Sequence, residues 1–226
     1  MPLLIPDVLT VQEVAQARVA LAGAAWVDGR GTAGHLSMGV KHNTQLHWQD
    51  PVAVELGAVI TARLERHPMF LSAALPHAIL PPLFNRYTGG GHYGPHIDGA
   101  IRQIDGTRRH IRTDLSLTLA LSDPQDYDGG ELVIADHLGE RTIKLPAGHA
   151  VLYPASSIHH VTPVTRGERL AAFTWVQSMV RGQEERDQLF DLDLAIQQLP
   201  DGPGLQASRL RFTNLYHNLL RRWAEL

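Results

Sequence analysis

The sequence predicts a mainly β protein with flanking helices, its strands gathered in the middle of the chain as a sandwich or jelly roll. Three observations carry this. Residues 113–121 alternate, with Leu115, Leu117, Leu119 and Leu121 on one face and Ser116, Thr118 and Ala120 on the other, which is the period of a strand. Short runs of strand character follow at 131–135, 142–145, 150–153, 158–164 and 170–180, and many short strands at such spacing form a sandwich or jelly roll. On both sides of this region the apolar spacing becomes helical.

The first helix is expected over 11–25. Thr10 can cap it, and Glu13 stands three residues on as in a capping box. Gly29, Gly31 and Gly34 then break the chain. Asp50 can cap a second helix with Pro51 in its first turn, running to about Arg66, with Leu56, Val59, Ile60 and Leu64 on its apolar face. Turn chemistry separates the middle strands at Asp128-Gly129-Gly130, His137-Leu138-Gly139, Pro146-Ala147-Gly148 and Arg166-Gly167-Glu168. Helical spacing returns at 184–199, through Leu189, Leu192, Ile196 and Leu199. Residues 200–204, with Pro200 and Pro203, make a break, and a last helix covers 208–226. Its Leu215, Leu219, Leu220 and Trp223 can either pack on the barrel or form a homodimer contact. The expected division is an N-terminal helical segment packing on the core (1–80), a β domain (81–180) and a C-terminal helical extension (181–226).

Composition narrows the function. The chain of 226 residues suffices for one sizeable core. A net charge of −3 and the lack of a Lys/Arg block argue against nucleic acid as a partner. With no cysteine, disulfides, thiolate catalysis and iron–sulfur clusters are excluded, and a reducing compartment is suited. Residues 1–10 lack the basic and apolar regions of a secretory signal. The two long uncharged stretches, between Arg66 and Arg86 and between Lys144 and Arg166, are interrupted by prolines and do not suit a membrane span. The expected location is the cytoplasm.

The chemistry concentrates in Arg86-Tyr87-Thr88-Gly89-Gly90-Gly91-His92-Tyr93-Gly94-Pro95-His96-Ile97-Asp98. Residues i and i+2 of a strand share a face, so His96 and Asp98 can present an imidazole and a carboxylate to one metal. A second, distant His would complete a two-His-one-carboxylate set, which leaves positions open on Fe(II). One His-x-Asp match is about what chance supplies in this composition; alone, it reads better as a surface His beside a strand-end Asp. Context shifts that balance. His159 and His160 follow downstream, and alternation sends them to opposite faces without saying which is inward. Ten residues after His159 comes Arg169, expected beyond the 166–168 turn on an antiparallel partner strand that brings its guanidinium into the same cavity. Such a fork grips a carboxylate two-fold. The glycines at 89–91 lack a Walker-type Lys and read as a flexible turn. His92 reads as solvated, Tyr93 as either pocket wall or packing on the sheet, and Trp175 as core.

These stretches, with Gly129-Gly130-Glu131-Leu132, 152–164, 167–177 and the N-terminal Val40-Lys41-His42-Asn43-Thr44-Gln45-Leu46, resemble the PKHD-type hydroxylases over nearly the full length. These are an iron-uptake-associated bacterial branch of the prolyl 4-hydroxylase-like 2-oxoglutarate dioxygenases. The resemblance implies a double-stranded β-helix (jelly roll) core with N-terminal helices and a C-terminal helical extension. It implies Fe(II) as cofactor, 2-oxoglutarate and O2 as cosubstrates, and ascorbate as an optional reductant. The reaction implied is hydroxylation of a small molecule or protein with release of succinate and CO2. His96, Asp98 and His159 are implied as iron ligands, Arg169 as the 2-oxoglutarate anchor, and Tyr87 as a hydrogen-bond donor to the cosubstrate. Gly99 stands where many relatives are expected to carry Asn, which alters the pocket edge. Two other readings stay open: a cupin-like metal protein without oxygenase activity, against which the absence of an H-x-H pair speaks, and an iron or 2-oxoglutarate sensor.

Overall fold

The computed structural model describes residues 2–32, 38–136, 139–202 and 204–226. The N-terminal region contains β1 (Leu3–Ile5), α1 (Val11–Ala22), β2 (Trp26–Asp28), β3 (Lys41–His42), β4 (Thr44–Leu46), α2 (Pro51–Leu64), α3 (Pro68–Ala74) and β5 (Pro76–Ile79). The middle contains β6 (Leu83–Thr88), β7 (His92–His96), β8 (Ile101–Gln103), β9 (His110–Arg112), β10 (Leu115–Ala120), β11 (Tyr127–Asp128), β12 (Leu132–Asp136), β13 (Gly139–Ile143), β14 (Ala150–Pro154), β15 (His159–Val161) and β16 (Arg166–Ser178). Two helices follow, α4 (Gln183–Gln198) and α5 (Gln206–Trp223). Gly34, His137, Leu138 and Pro203, which figured in expected breaks and turns, lie outside the described residues.

Local chemistry explains the helix starts. The Thr10 hydroxyl accepts from Glu13 N at 3.2 Å while the Glu13 carboxylate accepts from Thr10 N at 2.9 Å, so both orphan donors are satisfied as the motif requires. Asp50 accepts from Val52 N at 2.8 Å, ahead of Pro51. The helix α3 was not anticipated; His67 caps it by accepting from Phe70 N through Nδ1 at 3.3 Å.

The strands form two antiparallel sheets and one small hairpin. The major sheet runs β1-β14-β10-β16-β6-β4-β2, with β5 and β11 also paired to β16. The minor sheet runs β13-β12-β15-β7-β3, and β8 pairs only with β9. Tyr87, Val151 and Tyr153 from the major sheet pack with Leu132, Ile134 and Val161 from the minor one, so the two sheets face each other as in a jelly roll. The other face of the major sheet is covered by helices: Leu115, Leu117, Leu119, Leu121 and Phe84 share a cluster with Val14 and Leu21 of α1, Ile60 and Leu64 of α2, and Phe70 of α3. At the far end Leu189 of α4, with Leu219, Leu220 and Trp223 of α5, packs on Leu75 and Val180. Leu215 stays half exposed.

Three expectations need correction. The first eighty residues are not helical alone, because β2 and β4 extend the major sheet and β3 edges the minor one; runs of two or three residues are too short for periodicity to register. Residues 166–168 are not a turn but the start of β16, where Gly167 and Arg166 pair with β11. Consequently β16 is no partner of β15: the two lie in opposite sheets, and Arg169 stands in the sheet facing the one that carries His159.

Candidate functional site

The ends of β7 and β15 meet in the minor sheet. His159 lies directly across from His96, and two steps along β15 Val161 faces Tyr93. Two residues on β15 thus span three on β7, which is a bulge. The bulge carries Tyr93 onto the same side as His96, where the rings stack at 3.6 Å and 16°. Simple alternation would have separated them. Asp98 lies just past the end of β7 and is tied across the sandwich: Ser116 Oγ of β10 donates to Asp98 Oδ2 at 2.6 Å.

His96, Asp98 and His159 offer one ligand atom each, all within 4.8 Å of one another. His96 Nδ1 lies 2.8 Å from the Gly94 carbonyl and His159 Nδ1 3.0 Å from that of Ser157. A carbonyl only accepts, so each Nδ1 carries the proton and each Nε2 keeps a lone pair for a metal. Burial, then the neighbouring His159, hold His96 down to about 4, so it is neutral and ligand-ready at neutral pH. The donor set of two nitrogens and one carboxylate oxygen, with no thiolate, fits Fe(II). His160 is on the opposite face of β15, across from Val133. His92 pairs with His42, its ring 4.6 Å away, outside the cavity lining.

The cluster opens into a cavity of about 710 Å³, in the size range of ligand sites. Tyr87, Tyr93, Tyr153, Phe173 and Trp175 supply aromatic wall, and Trp175 is at once core and lining. Gly99 lies at its edge, where an added Cβ would meet nothing closer than Ile101 O at 4.0 Å; a relative with Asn there would fill this space. Asn85 also lines the cavity, and its buried Oδ1 has no hydrogen-bond partner among the described residues.

Arg169 stands on the inner face of β16 directly across from Tyr87 of β6. Its guanidinium lies 5.3 Å from the Tyr87 ring centroid and within hydrogen-bonding reach of Tyr127. It lines a separate void of about 20 Å³ and not the large cavity, contrary to the expectation that its guanidinium enters the same cavity as the metal cluster. Arg169 is 7% exposed and makes no ion pair among the described residues. Arg186, the other deeply buried arginine, instead spends its fork on the carbonyls of Val180 and Arg181, both at 2.8 Å. The charge of Arg169 also acts through space on Glu131, whose carboxylate is held by Thr162, and a buried cation with no anion in contact is costly unless one arrives.

Two glycines shape this corner. Gly129 has φ 72°, and a side chain there would collide with the Pro163 carbonyl. At Gly130, φ 66°, an added Cβ would come within 3.0 Å of Arg169 Cδ and 2.9 Å of the Tyr127 ring. The Gly-Gly pair therefore does more than turn the chain; it leaves the slot in which the arginine stem lies. Sequence reasoning missed this, as it missed Ser116, Lys41 and Tyr127. Ser116 alone carried a signal, as a polar residue facing inward from a strand of leucines.

Burial pushes the Tyr87 hydroxyl up to about 12 and that of Tyr153 higher still, so both stay protonated. Lys41 is buried at the cavity wall, 5.0 Å from the Tyr93 ring centroid; burial, then Arg102, lower it to about 8, and it is largely charged at neutral pH.

The fold and this constellation define a class, and comparison with known proteins agrees. Residues 82–177 match the 2OG-Fe(II) oxygenase superfamily, and residues 183–225 match the PKHD-type hydroxylase C-terminal domain. Among curated relatives, a PKHD-type hydroxylase of Paraburkholderia phymatum is 54% identical over 98% of both chains, and the PKHD-type hydroxylase PiuC of Pseudomonas aeruginosa is 54% identical over 98% of both. The chain belongs to the PKHD-type hydroxylase family and is a 2-oxoglutarate-dependent dioxygenase. Solved structures share the fold at low identity. A Pseudomonas putida prolyl-4-hydroxylase has TM-score 0.51 and 20% identity, covering 78% of this chain and 92% of that one. HygX from Streptomyces hygroscopicus, with nickel, 2-oxoglutarate and hygromycin B bound, has TM-score 0.54 and 15% identity, covering 79% and 84%. No helix among the described residues is long and apolar enough to cross a membrane.

Proposed function

We propose that His96, Asp98 and His159 hold Fe(II), that Arg169 anchors the distal carboxylate of 2-oxoglutarate, and that the enzyme hydroxylates a substrate seated in the large cavity. The observation that carries this is Arg169: a buried guanidinium with no carboxylate partner, in the wall opposite a ready-made N,N,O donor set. A diacid that meets the metal at one end supplies the missing counter-charge at the other.

Bound iron supplies the oxygen-activating chemistry. The chain's own residues do the rest. The two Nδ1–H bonds to carbonyls aim both Nε2 atoms inward, and Ser116 fixes the Asp98 carboxylate. Gly130 and Tyr127 hold the Arg169 fork in place. Tyr87, kept protonated by burial, remains an O–H donor toward the cosubstrate.

In this proposal residues 81–180 hold the chemistry, 1–80 support it and 181–226 extend it. A connection to iron uptake, a role for ascorbate as auxiliary reductant and a cytoplasmic location belong to the proposal too. The first two rest on family resemblance, the third on a chain without cysteine.

The test is an anaerobic titration with Fe(II) and then 2-oxoglutarate, followed through the visible charge-transfer band of the chelate. Wild type is expected to show the band, and His96→Ala and Asp98→Ala to lose it. Arg169→Ala should need at least about ten-fold more 2-oxoglutarate, as loss of a charge-assisted hydrogen bond of roughly 1.5–3 kcal/mol implies. An unchanged half-saturation in Arg169→Ala overturns its role. No band in iron-loaded wild type overturns the chelate itself.

A further inference from the structure

The inner face of β16 carries two cationic stations. Arg169 stands at one end. Six residues on, and on the same face, Trp175 carries the guanidinium of Arg102, with Cζ 3.9 Å from the ring centroid. At roughly 3.3 Å per residue the Cα positions of Arg169 and Trp175 lie about 20 Å apart along the strand. Arg102 lines the large cavity, whereas Arg169 lines a separate void.

Arg102 belongs to the β8–β9 hairpin and lines the large cavity together with Lys41. Stacking on an indole occupies the face of a guanidinium and leaves its edge N–H groups free. No carboxylate pairs with Arg102 among the described residues. Two carboxylates share the lining. Asp98 is committed to Ser116 and the metal cluster, and Asp105 sits exposed toward the hairpin turn. The hairpin region also carries Arg108 and Arg109, both exposed, so the approach to the cavity is net positive and would steer anions inward.

We propose that Arg102, stacked on Trp175 and assisted by Lys41, selects a substrate that carries an anionic group, a carboxylate above all, on an apolar or aromatic body. This deepens the proposed function and rests on it, since it places the substrate in the cavity that the metal cluster opens into. Arg102 acts as a specificity-determining residue separate from the cosubstrate anchor.

The probe pair is benzoate and benzamide, alike in shape and different in charge. Each is titrated by calorimetry, without oxygen, into protein loaded with Fe(II) and saturating 2-oxoglutarate. Benzoate is expected to bind at least ten-fold more tightly than benzamide. Arg102→Gln should abolish that preference with 2-oxoglutarate affinity unchanged, and Arg102→Lys should keep part of it. Equal or undetectable binding of both probes to wild type overturns the proposal, as does a benzoate preference that survives in Arg102→Gln. A fall in 2-oxoglutarate affinity in Arg102→Gln would assign the anion site to the cosubstrate and overturns it too. Failure of the underlying function looks different, because then the charge-transfer band is already absent from wild type before either probe is added.

Discussion

The two faces of the major sheet are both covered, one by helices and the other by the minor sheet, yet they are built from different chemistry. The outer face is a hydrocarbon surface: Leu115, Leu117, Leu119 and Leu121 meet the helices α1, α2 and α3. The inner face carries Ser116, Asn85, Tyr87, Arg169 and Trp175, all of them buried. Alternation usually separates core from solvent. Here it separates a surface sealed by helices from one whose polar side chains the proposed function assigns to ligands. Polar residues on the inner face keep hydrogen-bonding capacity that the folded chain leaves partly unused, and that reserve is what a ligand site consists of.

The largest effect should come from the outer face. Leu119 is fully buried, and Leu119→Ala is expected to lose about 3–5 kcal/mol of stability to chemical denaturation. At temperatures where the variant stays folded, its affinity for 2-oxoglutarate should match wild type. A specific loss of cosubstrate binding would mean that the two faces are not independent.

Next comes Ser116→Ala on the inner face. Removing the donor to Asp98 should weaken Fe(II) binding by roughly 10–100-fold, measured by competition with a chelator, while the melting temperature of the metal-free protein moves little. The reverse pattern, a large melting shift with unchanged iron affinity, would show that Ser116 is an ordinary core residue.

The smallest effect has the opposite sign. Asn85→Leu replaces a buried acceptor that lacks a partner, so the metal-free protein should become more stable by on the order of 1 kcal/mol. Substrate-dependent succinate formation should fall at the same time. A destabilised variant would show that Asn85 serves the fold and not a ligand.

The legibility of the sequence followed the same division. Strands with clean alternation, such as β10, could be read directly, and so could the capped helices α1 and α2. The hairpin β8–β9 was not, since three-residue strands flanking Asp105-Gly106 give little periodicity. Nor was the pairing of β16: the chain crosses between sheets after β15, and sequence spacing does not say which sheet a strand joins. At the site, the segment through His96 and Asp98 was visible as a motif. The stacking of Tyr93 on His96 was not, because a bulge depends on pairing with a distant strand. The inward choice between His159 and His160 needed the register against His96. The roles of Lys41, Arg102 and Gly130 were not legible, for a common reason: each acts through a neighbour tens of residues away, although Lys41 and Gly130 stood in stretches that carry the resemblance.

The chain's last residues close on the hairpin that bears Arg102. Ala224 bridges to Val180, and Glu225 N donates to Met179 O at 2.7 Å. The Glu225 carboxylate meets Arg112 of β9 at 3.3 Å, while the same guanidinium holds Asp114 at 2.6 Å and donates to Ser178 O at 3.2 Å. The end of the C-terminal extension is thus fastened to β9, the strand paired with the one that bears Arg102. Neutralising Glu225 would leave the Arg112 guanidinium with Asp114 and the Ser178 carbonyl as its remaining partners, and so would slacken the side of the hairpin away from Arg102.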